Sequence, residues 1–117
     1  MTLFLNLSLN LQIVKNGMEI IDTNIAGVKL IKPKVFGDER GYFFESYNET
    51  KLANILSPGE SFVQDNQSRS TYGVVRGLHF QTGEFEQAKL VRVLKGEVLD
   101  VVVDMRTGSA TYGKTFS

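Results

Sequence analysis

A chain of 117 residues holds one domain. Thirteen acidic side chains balance thirteen lysines and arginines, so no global field favours nucleic acid or an anionic membrane surface. The absence of cysteine excludes a disulfide framework and thiol chemistry, and eleven glycines with two prolines suit a turn-rich β protein.

Residues 1–17 form an extra segment ahead of a domain expected over 18–117. Leu3, Leu5, Leu7, Leu9 and Leu11 fall on every second position, a strand period. Asn and Gln interrupt the run, which is too short to cross a membrane. It also lacks the basic start and small-residue cleavage site of a secretion signal. It reads either as an added edge or interface strand, or as a non-native leader upstream of a natural start at Met18. The second reading is preferred. An exposed edge strand of this kind would be a pairing hazard.

Strands are expected over 18–23 and 28–36, with Pro33 marking an edge or bulge. Gly37 to Gly41 reads as a charged loop between glycines, and Tyr42 to Tyr47 as an aromatic strand. Asn48 to Leu56 is the one helical candidate. Asn48 or Thr50 can cap it, Leu52, Ile55 and Leu56 form its apolar stripe, and Ser57-Pro58-Gly59 ends it. Phe62 to Ser70 returns to strand, with Gln64 and Asn66 on one face.

Thr71-Tyr72-Gly73 turns the chain into Gly73-Val74-Val75-Arg76-Gly77-Leu78-His79-Phe80-Gln81, which holds the sole histidine. After a loop over 82–86 comes an apolar strand, Ala88 to Leu94, carrying Lys89. Gly96 makes a turn. Val98 to Asp104 is nearly continuous apolar sequence, the pattern of a strand buried on both faces. Asp104 could orient His79, but a strand-end cap or a partnership with Arg106 is the preferred reading. Thr107-Gly108-Ser109 turns the chain, and Tyr112 to Ser117 begins another strand.

Histidine takes and returns protons near neutral pH, so His79 is a candidate base; the alternative is a hydrogen-bonded structural histidine. Removing a proton next to a carbonyl also requires a fixed positive partner for the enolate oxygen. Lys89 is the candidate: if it points inward, its charge is costly to bury unless it meets a ligand or a carboxylate. Arg76 is suited to bidentate contact with phosphate oxygens. Gly73, His79 and Gly96 also fit the frame of a metal-binding cupin. Gln81 replaces its second histidine, however, and Lys89 its acid, so the expectation is metal-free acid/base chemistry.

Gly37-Asp38-Glu39-Arg40-Gly41-Tyr42-Phe43-Phe44-Glu45, Phe62 to Ser68 and Arg76-Gly77-Leu78-His79-Phe80-Gln81 resemble the dTDP-4-dehydrorhamnose 3,5-epimerase family. Asp104-Met105-Arg106 and Thr111-Tyr112-Gly113-Lys114 extend the resemblance from about Met18 to Ser117. Strand-and-turn spacing predicts an all-β antiparallel sandwich or barrel with one short helix. The resemblance makes it a cupin-like jelly roll, incomplete at the C-terminal end. It implies a cytoplasmic homodimer that needs no metal or organic cofactor and binds neither nucleic acid nor membrane. Its substrate would be a dTDP-linked 4-keto-6-deoxy sugar, inverted at C3 and C5.

On this resemblance His79 is the base and Lys89 stabilises the enolate. Arg76 grips the substrate, while Arg40, Glu45, Gln64 and Asn66 serve the nucleotide. The family is expected to continue for roughly another third of its length past the point matching Ser117. Its tyrosine acid and the aspartate that orients the histidine would lie there. The 117-residue chain is therefore expected to exchange protons without efficient inversion. The alternative is a non-catalytic cupin that binds a nucleotide sugar or self-associates.

Overall fold

The computed structural model describes residues 2–5 and 17–117. Its largest sheet has the order β2-β3-β1-β6, built from Thr2–Leu5 (β1), Met18–Asp22 (β2), Val28–Pro33 (β3) and Lys89–Arg92 (β6). Val35–Asp38 (β4) and Gly41–Phe44 (β5) form a hairpin, and Val102–Val103 (β7) pairs with Thr115–Phe116 (β8). Glu49–Ala53 (α1) is the α-helix, and a 3-10 turn spans Gly83–Phe85. The all-β class with one short helix matches the expectation. Among the described residues the strands do not close into a barrel.

β2, β3 and β6 fall within stretches expected to be strand. Pro33 ends β3 opposite Met18, and the chain restarts as β4 at Val35. At this break the Lys34 N–H donates to the Gly17 carbonyl at 2.8 Å. The expected strand over 28–36 is thus two strands, because proline offers no N–H to the ladder. The glycine-bounded loop is tighter than expected. Gly37 and Asp38 remain in strand, Asp38 pairs with Gly41, and Glu39-Arg40 make the turn.

The core sits between β3 and α1. Ile31 is 0% exposed and Leu52 1%, with Met18, Phe44, Ile55, Phe62 and Leu90 packed around them. Asn48 caps α1, its side-chain oxygen accepting from the Lys51 N–H at 3.1 Å. This cap replaces one hydrogen bond that the first helical turn cannot make internally.

Two strand expectations fail. Phe62 to Ser70 carries no ladder, and Val98 to Asp104 is strand only at Val102–Val103. Leu99, expected inside, is 82% exposed. Apolar, β-branched sequence favours an extended chain, but a strand exists only where a neighbour supplies hydrogen bonds. No described strand lies beside Phe62 to Ser70 or Val98 to Val101.

The N-terminal segment also departs from expectation. β1 is not an edge strand: it lies between β3 and β6 and runs parallel to both. The other pairings are antiparallel. Residues 6–16 of the leucine-alternating stretch fall outside the described residues.

Candidate active site

His79 lies on the exposed, unpaired run that follows Gly73. Gly77, two residues earlier, has φ +118°, a conformation that L side chains rarely adopt. A Cβ there would lie 3.7 Å from the His79 backbone nitrogen and 3.8 Å from its Nδ1. At those distances a Cβ would make only ordinary van der Waals contact, so it is the backbone conformation and not the space that calls for glycine here. Lys89 opens β6, at the edge of the main sheet, in register with Thr2. It is exposed rather than turned inward, and has no ion-pair partner among the described residues. The desolvation argument that singled it out from sequence therefore does not hold here.

The substrate-binding candidates form local clusters. At the β4–β5 turn, Arg40 donates from its backbone to Asp38 at 2.9 Å and from Nε to Asp38 Oδ2 at 3.1 Å. These bonds hold the Asp38 carboxyl below its ordinary range and raise the guanidinium. Arg40 also lines a hollow of about 490 Å³ with Phe36, Gly37, Asp38, Gly41, Tyr42 and Phe43. None of the other candidates lines that hollow.

Glu45 accepts from Asn48 Nδ2 at 2.8 Å and pairs with Lys51. The Lys51 ammonium first, and the Asn48 amide second, keep its carboxyl ionised to lower pH than usual. In this structure Glu45 thus braces the start of α1. Gln64 Nε2 donates to Asn66 Oδ1 at 3.2 Å, so the two amides share a face as their spacing predicts. Arg76 donates from Nε to Ser70 Oγ at 2.9 Å and from Nη2 to the Arg69 carbonyl at 3.3 Å. Apart from Gln64 with Asn66, no hydrogen bond or ion pair joins one candidate to another. Among the described residues, no group of three or more His, Cys, Asp or Glu is placed to hold a metal.

The most connected polar group is one that the sequence placed correctly but understated. Asp104, 3% exposed, accepts from Arg106, Ser109 and Thr111. The partnership with Arg106 is the preferred reading borne out. The two hydroxyls were read only as parts of a turn and a sequence block. The D-x-R…S-x-T spacing was the available signal, since hydroxyls near a strand-end carboxylate commonly close such turns.

Solved structures of similar chains show the same architecture. A dTDP-4-dehydrorhamnose 3,5-epimerase from Elizabethkingia anophelis superposes with a TM-score of 0.77 at 50% identity, over 86% of this chain and 55% of that one. A dTDP-6-deoxy-D-glucose-3,5-epimerase from Legionella pneumophila, in complex with dTDP-4-keto-L-rhamnose, gives 0.69 at 44% identity, over 85% and 52%. The fold class is thus the cupin-type jelly roll of sugar-nucleotide epimerases. The family model for dTDP-4-dehydrorhamnose 3,5-epimerase matches residues 22–117, and the chain belongs to that family. The curated enzyme of that name from Escherichia coli is 53% identical over 97 residues, which are 83% of this chain and 52% of that protein. Its counterpart from Methanothermobacter thermautotrophicus is 53% identical over 95 residues, 80% and 50% of the two chains. The chain spans about half the length of the curated relatives it matches.

Proposed function

We propose that this chain carries the proton-abstracting half of a dTDP-4-dehydrorhamnose 3,5-epimerase. Its substrate is dTDP-4-dehydro-6-deoxy-D-glucose and its product dTDP-4-dehydro-L-rhamnose, within dTDP-L-rhamnose biosynthesis. His79 takes the proton from the carbon next to the C4 ketone. The electron pair moves onto the ketone oxygen, where the Lys89 ammonium neutralises it. Inversion also needs an acid on the opposite face to return a proton; on the resemblance that acid is a tyrosine outside these 117 residues, so this chain supplies the abstraction step. Arg76 and Arg40 hold the diphosphate, a task suited to planar guanidinium groups. Glu45, Gln64 and Asn66 serve the nucleotide.

The observation that carries this reading is the 22–117 match, which contains all seven residues. The complex of the Legionella protein with dTDP-4-keto-L-rhamnose supports the substrate class. A cytoplasmic homodimer belongs to the same reading; no described helix is long and apolar enough to cross a membrane.

The test is incubation of the chain with the keto sugar in D2O, following carbon-bound hydrogen by NMR. Deuterium entering at C3 and C5 faster than in buffer is the expected result. A folded chain giving no exchange above buffer would overturn the proposal.

A further inference from the structure

The Arg76 side chain reaches back along the sequence to the stretch before the turn. Its Nε donates to Ser70 Oγ at 2.9 Å, and its Nη2 donates to the Arg69 carbonyl at 3.3 Å. Between them the chain reverses: the Val74 N–H donates to the Thr71 carbonyl at 3.3 Å, and Gly73 takes φ +81°. Positive φ is open to glycine without steric cost, so this turn suits the residue it has.

A guanidinium carries its N–H groups in a rigid planar fork. The Nε hydrogen and one Nη2 hydrogen lie along one edge of it, and Ser70 and Arg69 occupy that edge. Arg76 makes no other hydrogen bond or ion pair among the described residues. The outer end of the fork, formed by Nη1 and the second Nη2 hydrogen, is left for a ligand. Two parallel donors there match two oxygens of a phosphate group. Arg40 is tied along the same edge, but to the Asp38 carboxylate, which offsets its charge. The partners of Arg76 are a hydroxyl and a carbonyl, both neutral, so Arg76 keeps its full charge for an anion.

We propose that Ser70 is a positioning residue, whose hydroxyl turns the Arg76 guanidinium end-on to the diphosphate of the bound nucleotide. Ser70 acts through Arg76, so its role rests on the diphosphate contact proposed for that arginine. An arginine side chain has many rotamers, and binding must remove that freedom. The Ser70 bond removes part of it before the ligand arrives. It also fixes which edge of the fork faces outward.

The test is isothermal titration of dTDP into the 117-residue chain and four variants: Ser70→Ala, Ser70→Thr, Arg76→Ala and the double variant Ser70→Ala with Arg76→Ala. Both side chains are exposed, so these substitutions spare the core. Ser70→Ala should weaken dTDP binding by about 3- to 10-fold, the loss of one hydrogen bond to a charged group. Ser70→Thr keeps a hydroxyl and should bind near the native value. Arg76→Ala should weaken binding by about 10-fold or more, and adding Ser70→Ala to it should cost nothing further. A role confined to holding the turn would instead give the same loss in both backgrounds, and that result would refute the inference. So would native affinity in Ser70→Ala beside a weakened Arg76→Ala, or a threonine variant as weak as alanine; either leaves the diphosphate role of Arg76 standing. Native affinity in Arg76→Ala, or no dTDP binding by the native chain, would overturn that role and the positioning of Ser70 with it.

Discussion

Asp104 and Arg106, two residues apart, form a bidentate pair: Nε reaches Oδ1 at 2.9 Å and Nη2 reaches Oδ2 at 2.8 Å. The carboxylate is buried, while the guanidinium is half-exposed and also donates to the Ala26 carbonyl at 2.7 Å. One side-chain pair therefore fastens the β7–β8 end to the β2–β3 turn. Ser109 and Thr111 hydroxyls each add a bond to Oδ2 at 2.6 Å.

Replacing Asp104 with Asn should be costly despite the matched size. The amide presents a donor where Arg106, Ser109 and Thr111 already donate. A buried acceptor set is thus turned against its neighbours. The expected fall in Tm is on the order of 10 °C by differential scanning calorimetry. Arg106→Lys should fall less, because one ammonium cannot reproduce the fork.

The same carboxylate sets an acid limit. Arg106 first, then Ser109 and Thr111, hold the Asp104 carboxyl far below its ordinary value of 3.8. A folded-state pKa below the unfolded one gives stability that is present above the unfolded value. It is lost as pH falls toward the folded one. Urea midpoints of the native chain should therefore decline progressively below pH 3.8, and Asp104→Asn should remove that part of the slope. An unchanged acid slope in the variant would rule out Asp104 as its source.

Leu52→Ala tests the centre of the core. Leu52 is the buried residue of α1 and packs on Ile31 of β3, the strand that β1 and β2 both flank. Truncation loses the transfer energy of the side chain and leaves a cavity, together about 2–5 kcal/mol. With so few fully buried side chains, the expected result is loss of cooperative urea unfolding at 25 °C. Leu52→Met, which nearly conserves volume, should keep the transition.

Asn48→Ala removes two services at once. The side chain caps α1 through Lys51 N and donates to Glu45. The cap is worth about 1 kcal/mol, and Asn48→Ser should recover most of it because serine also accepts from the helix start. The Glu45 bond should not return, so the two variants separate cap from brace when stability is measured against urea.

What was legible from sequence divides along a physical line. Features set by neighbouring residues were readable: the Asn48 cap, the Asp104–Arg106 pair and the shared face of Gln64 and Asn66. The helix expected up to Leu56 instead ends at Ala53, with Asn54 as its C-cap, ahead of Ser57-Pro58-Gly59. Features set by distant chain were not readable. Val98 to Val101 has the composition of a buried strand but no described neighbour to pair with, and β1 has an edge-strand sequence yet lies inside a sheet. The candidate site is split in the same way. Residue types and short spacings named His79, Lys89 and Arg76, whereas their exposure depends on which distant parts of the chain pack against them. The periodic pattern of β6 could not fix the direction of Lys89, because burial along Lys89–Arg92 does not alternate.

His79 and Lys89 make separable predictions for the proposed reaction. His79→Asn keeps a polar group but no longer takes a proton near neutral pH. Deuterium exchange at C3 and C5 of the keto sugar should fall about 100- to 10,000-fold, toward the buffer rate. Lys89→Gln leaves the base in place and removes the charge that meets the forming enolate. Loss of such a fixed electrostatic partner costs roughly 100- to 1,000-fold in the chemical step. Substrate affinity by isothermal titration should change little in either variant, since Arg76 and Arg40 are assigned the diphosphate. Exchange at the native rate in His79→Asn would remove His79 from the base role. A Lys89→Gln chain with native exchange but weakened binding would reassign Lys89 to holding the substrate.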